Sequence, residues 1–179
     1  MLEITIPYAE LYDSGSRRII KVPEQTLKLE HSLVSLSKWE SKWHKPFLSK
    51  EQKTYEEVVD YVKCMTLTQN VNPYVYLALT NDNMQRINEY LNDPMTATTF
   101  SKDRAKPSRD IITSEVIYQW MISLNVPFEC QKWHLNRLFT LLKVCGIKSQ
   151  PPKKMSKRET ASRNAALNQA RRKQLNSKG

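Results

Sequence analysis

The feature that most limits what this chain can fold into is where its aromatic residues stop. All four Trp, all eight Tyr and all four Phe lie before residue 147, and none follows. Over residues 147–179 the chain carries ten Lys/Arg against one acid, Glu159. That is +9 of a formal total of +10, which leaves +1 for the 146 residues before it. A stretch with so few large apolar groups does not offset roughly 1–2 kcal/mol of backbone entropy per residue. The core must therefore be built within 1–146, and 147–179 reads as an appended basic arm. Self-repulsion makes such an arm costly, so an acidic partner is its first explanation.

A chain of 179 residues suffices for one domain plus an appendage. Cys64, Cys130 and Cys145 are odd in number and too few for a disulfide framework, which suits a reducing compartment. The opening MLEITIPYAEL lacks a basic run before an apolar one, so no secretion signal is expected. No window approaches 18 uncharged apolar residues, so no membrane partner is expected, and the cytosol is the expected location.

The predicted fold class is α+β, mostly α-helical, with strands within about residues 1–30. Leu2–Ile6, Ile19–Val22 and Leu27–Leu29 alternate apolar and polar residues, with Asp13-Ser14-Gly15-Ser16 as the turn between the first two. Leu33, Leu36, Trp39 and Trp43 then fit one helical face or a strand-to-helix change. Ser49 or Thr54 is expected to cap a helix with Tyr55, Val58/Val59, Val62 and Met65 inward and Glu56, Glu57 and Asp60 on a solvated exterior. Asn72-Pro73 opens a short helix, and Thr80 or Asn81 caps the next, with Met84, Ile87 and Leu91 inward. Residues 94–110 lack periodicity and read as a long loop. The clearest stripes run from Ile112 to Leu124 and from Trp133 to Cys145. They predict an antiparallel helix pair joined through Asn125–Pro127 and closed at Gly146. Gln150-Pro151-Pro152 is a hinge, and Ser156-x-x-Glu159 is a capping-box pattern opening a helix that is fractional alone and completed on a partner.

Chemistry-bearing patterns are sparse. Cys130 and His134 stand four apart on an expected helix, but two ligands make no zinc site, and a core or interface pair is the simpler reading. His31 and His44 show no partner in sequence. Three glycines (Gly15, Gly146, Gly179) are too scattered for a phosphate-cradling loop or a nucleophile elbow. Trp39 and Trp43 suit a core, or an anchor if one is half exposed. No cofactor, metal or catalytic residue is expected. The partner-binding residues are those of the arm: Lys153, Lys154, Lys157, Arg158, Arg163, Arg171, Arg172 and Lys173, with Ala161, Ala165 and Leu167 as a shallow apolar face for a protein partner. The absence of stacking aromatics from the arm counts against single-stranded nucleic acid.

Several stretches resemble a family encoded by tailed bacteriophages, the tail assembly chaperones. They are Ser37-Lys38-Trp39-Glu40-Ser41-Lys42-Trp43 with Lys45-Pro46-Phe47-Leu48, Met65-Thr66-Leu67-Thr68, Pro94-Met95-Thr96-Ala97-Thr98, Ile117 to Leu138, and Pro151 to Arg158. Together they cover most of residues 33–175. The resemblance implies a non-enzymatic protein that coats the tape measure protein, is displaced by tail tube protein, acts in the host cytoplasm and needs no cofactor. It carries over no site residue. The alternatives are a phage protein that binds RNA or DNA through the arm and a structural subunit of the tail or neck. Oligomeric state is left open.

Overall fold

The computed structural model describes residues 1–13, 15, 17–100, 111–149 and 156–176, of Glu159 the backbone alone. The fold is α+β and predominantly helical. The chain divides into two compact units, 1–145 and 146–179.

The first unit opens with a β-ribbon. Strand β1 (Leu2–Ile6) pairs antiparallel with β4 (Gln25–Leu29), and β2 (Ala9–Asp13) pairs antiparallel with β3 (Arg18–Val22). The residue numbers of every pair total 31, as in Leu2↔Leu29 and Asp13↔Arg18, so the two ladders keep one register. What interrupts them is Pro7 on one arm and Pro23 on the other, because proline has no N–H to donate. Across the break both arms step three residues between inward positions, Ile6 to Ala9 and Val22 to Gln25, so the inward-facing parity changes. Alternation read from the sequence finds β1, β3 and β4 but misses β2, whose inward residues Ala9 and Leu11 are only half-buried. Ser14 and Ser16 of the expected turn lie outside the described residues.

The outer edges of β1 and β4 are covered, which blunts strand addition. Asn83 Nδ2 donates to the Thr5 carbonyl (3.2 Å) and Arg86 Nη2 to the Glu3 carbonyl (2.9 Å). On the other side Glu30 N–H donates to the Met65 carbonyl (2.9 Å), and Leu67 N–H to the Lys28 carbonyl (2.8 Å).

Helix α1 (Leu33–Trp43) resolves the ambiguity of the Leu33–Trp43 spacing: Ser32 caps it, with Ser35 returning a bond to the Ser32 N–H. Helix α2 (Tyr55–Met65) starts at Thr54, where Glu57 completes a capping box. A 3-10 turn, Pro73–Ala78, follows Asn72, and α3 (Asn81–Asn92) is capped by Thr80. Helix α4 spans Ser114–Ser123, and Asn125 takes a positive φ of 52° after it. A second 3-10 turn, Phe128–Lys132, precedes α5 (Leu135–Ser149). The connection between α4 and α5 is thus longer than Asn125–Pro127, because the chain after Pro127 coils into that turn before α5 begins. Gly146 does not end a helix; α5 continues through it.

Two apolar clusters share α1. Trp39 joins Ile4, Ile6, Leu27, Val62 and Met65 of the first, while Leu33 and Leu36 join Ile117, Met121, Leu135 and Leu138 of the second. Glu40, buried on α1, links the clusters further. Its Oε1 accepts the Phe47 N–H (2.9 Å) after α1, and its Oε2 accepts the Ser114 N–H (2.7 Å), satisfying one orphan donor of the first turn of α4, where Thr113 makes no side-chain cap. In the second unit, α6 spans Lys157–Gln174.

Candidate functional site

The arm's helix forms for local reasons. The Ser156 carbonyl accepts both the Thr160 N–H (2.9 Å) and the Thr160 hydroxyl (3.0 Å) at its start. At its end Leu175 N–H bonds the Arg171 carbonyl (2.9 Å), and Asn176 takes a left-handed φ of 48°, a conformation asparagine tolerates. Arg171, Arg172 and Lys173 sit in the last turn, where cations complement the helix dipole. The expected reciprocal bond from the Glu159 side chain falls outside the described residues.

Lys157, Arg158, Arg163, Arg171, Arg172 and Lys173 are all exposed; Lys153 and Lys154, and the expected hinge at 150–152, lie outside the described residues. At 3.6 residues per turn the six described cations fall on every side of α6 rather than on one stripe. The same geometry corrects the proposed apolar face. Ala161 and Ala165 share a side, but Leu167, two positions on, projects from nearly the opposite one, with Ala170 three positions further along it. Helix α6 presents a cationic circumference with small apolar gaps.

Charge in the first unit is organised differently. Glu57 and Asp60, expected on a solvated exterior, are buried. Glu57 binds Lys45 Nζ at 2.6 Å and the Thr54 N–H at 2.8 Å, and these bonds, Lys45 first, hold its carboxyl below the usual range. Burial pushes Asp60 up, but bonds from Lys42 Nζ and the Trp43 indole N–H outweigh it and leave its pKa lowered. The tryptophans explain the misplacement: Trp39 and Trp43 stack with ring centres 6.1 Å apart and bring both indole N–H groups down onto α2, Trp39 to the Glu57 carbonyl at 2.8 Å. The signal in sequence was Thr54-x-x-Glu57, a capping box that ties Glu57 to the helix start.

Trp39 is core, and Trp43 is half-buried in the wall of a cleft of about 400 Å³ beside Tyr55, Val59 and Leu77. Tyr55, read from its spacing as inward, is instead 60% exposed. It is the first residue after the Thr54 cap, so it overhangs the end of the core.

Cys130 and His134 do not share a helix. Cys130 is buried in the Phe128–Lys132 turn, and His134 precedes α5. Among the described residues no group of three or more His, Cys, Asp or Glu is placed to hold a metal ion. His31, which had no visible partner, meets His134 across the junction of β4–α1 with α5, ring centres 5.1 Å apart. His31 Nδ1 lies 2.6 Å from the Tyr61 hydroxyl, and Leu135 N–H donates to the His31 carbonyl at 2.8 Å. The Asn136 N–H donates to His134 Nδ1 (3.3 Å), leaving Nε2–H to donate to the Tyr90 carbonyl (3.0 Å). Burial and then the charge of His134 lower the pKa of His31 to about 3, and burial lowers that of His134. Both rings are neutral packing elements at pH 7. His44 ends α1 in a left-handed conformation.

No helix among the described residues is long and apolar enough to cross a membrane. Compared with protein-family models, curated proteins and solved structures, the chain matches none of them.

Proposed function

We propose that this protein is a non-enzymatic assembly factor of the tail assembly chaperone type, acting in the host cytoplasm, that holds tape measure protein and releases it to tail tube protein. The observation that supports it is the exposed cationic circumference of α6, set against a first unit in which Lys45 and Lys42 are engaged by buried Glu57 and Asp60. Six exposed Lys/Arg on one helix make many weak ionic contacts, each worth at most about 1 kcal/mol. Such an attachment is strong in sum and yields contact by contact to a growing tube. A helix fractional alone gains order on the partner, so ordering and binding are one event.

The test is capture of co-expressed tape measure protein by the full chain, against a variant with Lys157, Arg158, Arg163, Arg171, Arg172 and Lys173 all changed to Gln. Capture is expected from the full chain and lost from the variant, with the circular dichroism of the first unit's helices retained. Equal capture by both would sink the proposal.

One observation favours a second reading. Cations on all sides of a helix suit a partner that surrounds it, as the phosphates lining a nucleic-acid groove do. On that reading the full chain binds random RNA or DNA at about 150 mM salt with a logarithmic salt slope that falls as each cation is removed. A structural place in the tail or neck would instead leave stoichiometric copies in purified virions.

A further inference from the structure

The cleft on α2 has opposite charges at its two ends. Glu56 and Lys63 both line it, seven residues apart, so they share one face of the helix and stand about 10 Å apart along its axis. Between them lies an apolar wall of Trp43 and Val59, with Tyr55 (60% exposed) and Leu77 (56% exposed) standing on the rim. The other two charged groups of the lining, Lys42 and Asp60, are bound to each other, and Asp60 also takes the Trp43 indole N–H; Lys63 Nζ lies over the Tyr76 ring at 5.6 Å but meets no carboxylate within salt-bridge distance among the described residues.

This pattern is its own complement. With a second α2 laid antiparallel across the first, a two-fold axis passes at Val59. Glu56 then meets Lys63 of the second copy, and Lys63 meets Glu56 of the second copy. A parallel arrangement sets like against like. Asp60, close to the axis, does not repel its own copy, because Lys42 neutralises it within each chain. Tyr55 and Leu77 project as knobs toward the cleft of the other copy, and exposed Tyr beside half-buried Trp is the composition of an interface centre. Nucleic acid lacks this match, since Glu56 repels phosphate, and a peptide of one charge sign is repelled at one end.

We infer that the α2 cleft is the surface through which two copies of this chain associate, in an isologous two-fold contact closed by reciprocal Glu56–Lys63 pairs around Tyr55 and Leu77. The inference does not depend on what the basic arm binds.

Sedimentation equilibrium of the full chain over a range of concentrations, at about 150 mM salt so that distant charges are screened, reads it directly. The wild type is expected to approach the dimer mass. Glu56→Lys and Lys63→Glu are each expected to weaken association about tenfold, because each turns two symmetry-related attractions into two repulsions. The double variant, Glu56→Lys with Lys63→Glu, restores opposite charges across the axis and is expected to return within about threefold of the wild type. Both side chains are exposed, so the fold should tolerate each change. A wild type that stays monomeric, single variants that associate unchanged, or a double variant that fails to recover would each overturn the inference.

Discussion

The two units of this chain set Lys and Arg in opposite surroundings. In residues 1–145 Lys42 and Lys45 are clamps: each reaches a buried carboxylate, Asp60 or Glu57, that would be costly to leave unpaired. Arg86 binds a strand-edge carbonyl, and Arg137 lies over the Trp133 ring at 4.2 Å. On α6 the six described cations stand outward around a helix with no apolar stripe to bury. The difference teaches that Lys and Arg are read by what acids and apolar residues accompany them, not by their number. Where aromatic and acidic residues intervene, the cation becomes part of the fold; where they are missing, as on α6, it stays exposed.

The sharpest way to break the comparison is to remove one large side chain from each unit. Trp39→Ala takes out a fully buried ring that packs on Trp43 and Phe47 and donates to the Glu57 carbonyl, and is expected to cost about 3–5 kcal/mol in urea unfolding. Leu167→Ala on α6 should shift the same transition by less than about 0.5 kcal/mol. Comparable losses from the two would show that the units are not separate in stability.

Next in size is the carboxylate that joins α1 to α4. Glu40→Ala leaves the Phe47 and Ser114 N–H groups without their acceptors, and a loss of about 3 kcal/mol is expected. Hydrogen exchange should accelerate at those two amides before it does along α2. A uniform rise across the first unit would mean that Glu40 is not a local tie.

The histidine pair makes the first unit sensitive to acid in a window of its own. His31 is neutral in the folded chain down to about pH 3 but gains a proton near its ordinary value of 6.5 once unfolded. The unfolded state therefore binds more protons between those values, and stability rises with pH across them. It is full above about pH 6.5 and is lost as pH falls toward 3, by roughly 2 kcal/mol between pH 7 and pH 5. Glu57 and Asp60, with lowered pKa values, add their own loss only below the ordinary carboxylate range. In His31→Gln the fall between pH 7 and 5 should shrink to the part that His134, also lowered by burial, contributes, while the acid limb below pH 4 remains. An unchanged slope would place the titration elsewhere.

How much of this was legible in the sequence follows from the range of each interaction. Helices α2 to α5 and three of the four strands were readable, because their signals are local: an apolar period, a capping residue, a proline. Strand β2 was not, because only its partner β3 reveals that Ala9 and Leu11 face inward. Gln25, whose side chain accepts the Asn72 N–H, is polar yet turned inward, which alternation does not report either. The burial of Glu57 and Asp60 and the meeting of His31 with His134 depend on contacts across 12 to 103 residues of chain, which no spacing rule reports. The basic arm was legible in composition, but the circular spread of its cations emerges only when residues 157–174 are placed on a helix.

The smallest expected effect falls where the two units meet in sequence. Gly146 lies inside α5, three residues before its end, where sequence alone placed a helix stop. A Cβ added there meets no heavy atom within 4 Å, and no positive φ demands glycine. The residue therefore weakens the helix for no packing reason, and Gly146→Ala should stabilise α5 by about 0.5–1 kcal/mol, through helix propensity and a less flexible unfolded chain. Helical ellipticity should rise slightly, and the amides of residues 147–149 should exchange more slowly. Unchanged ellipticity and exchange would show that residue 146 does not limit the end of α5.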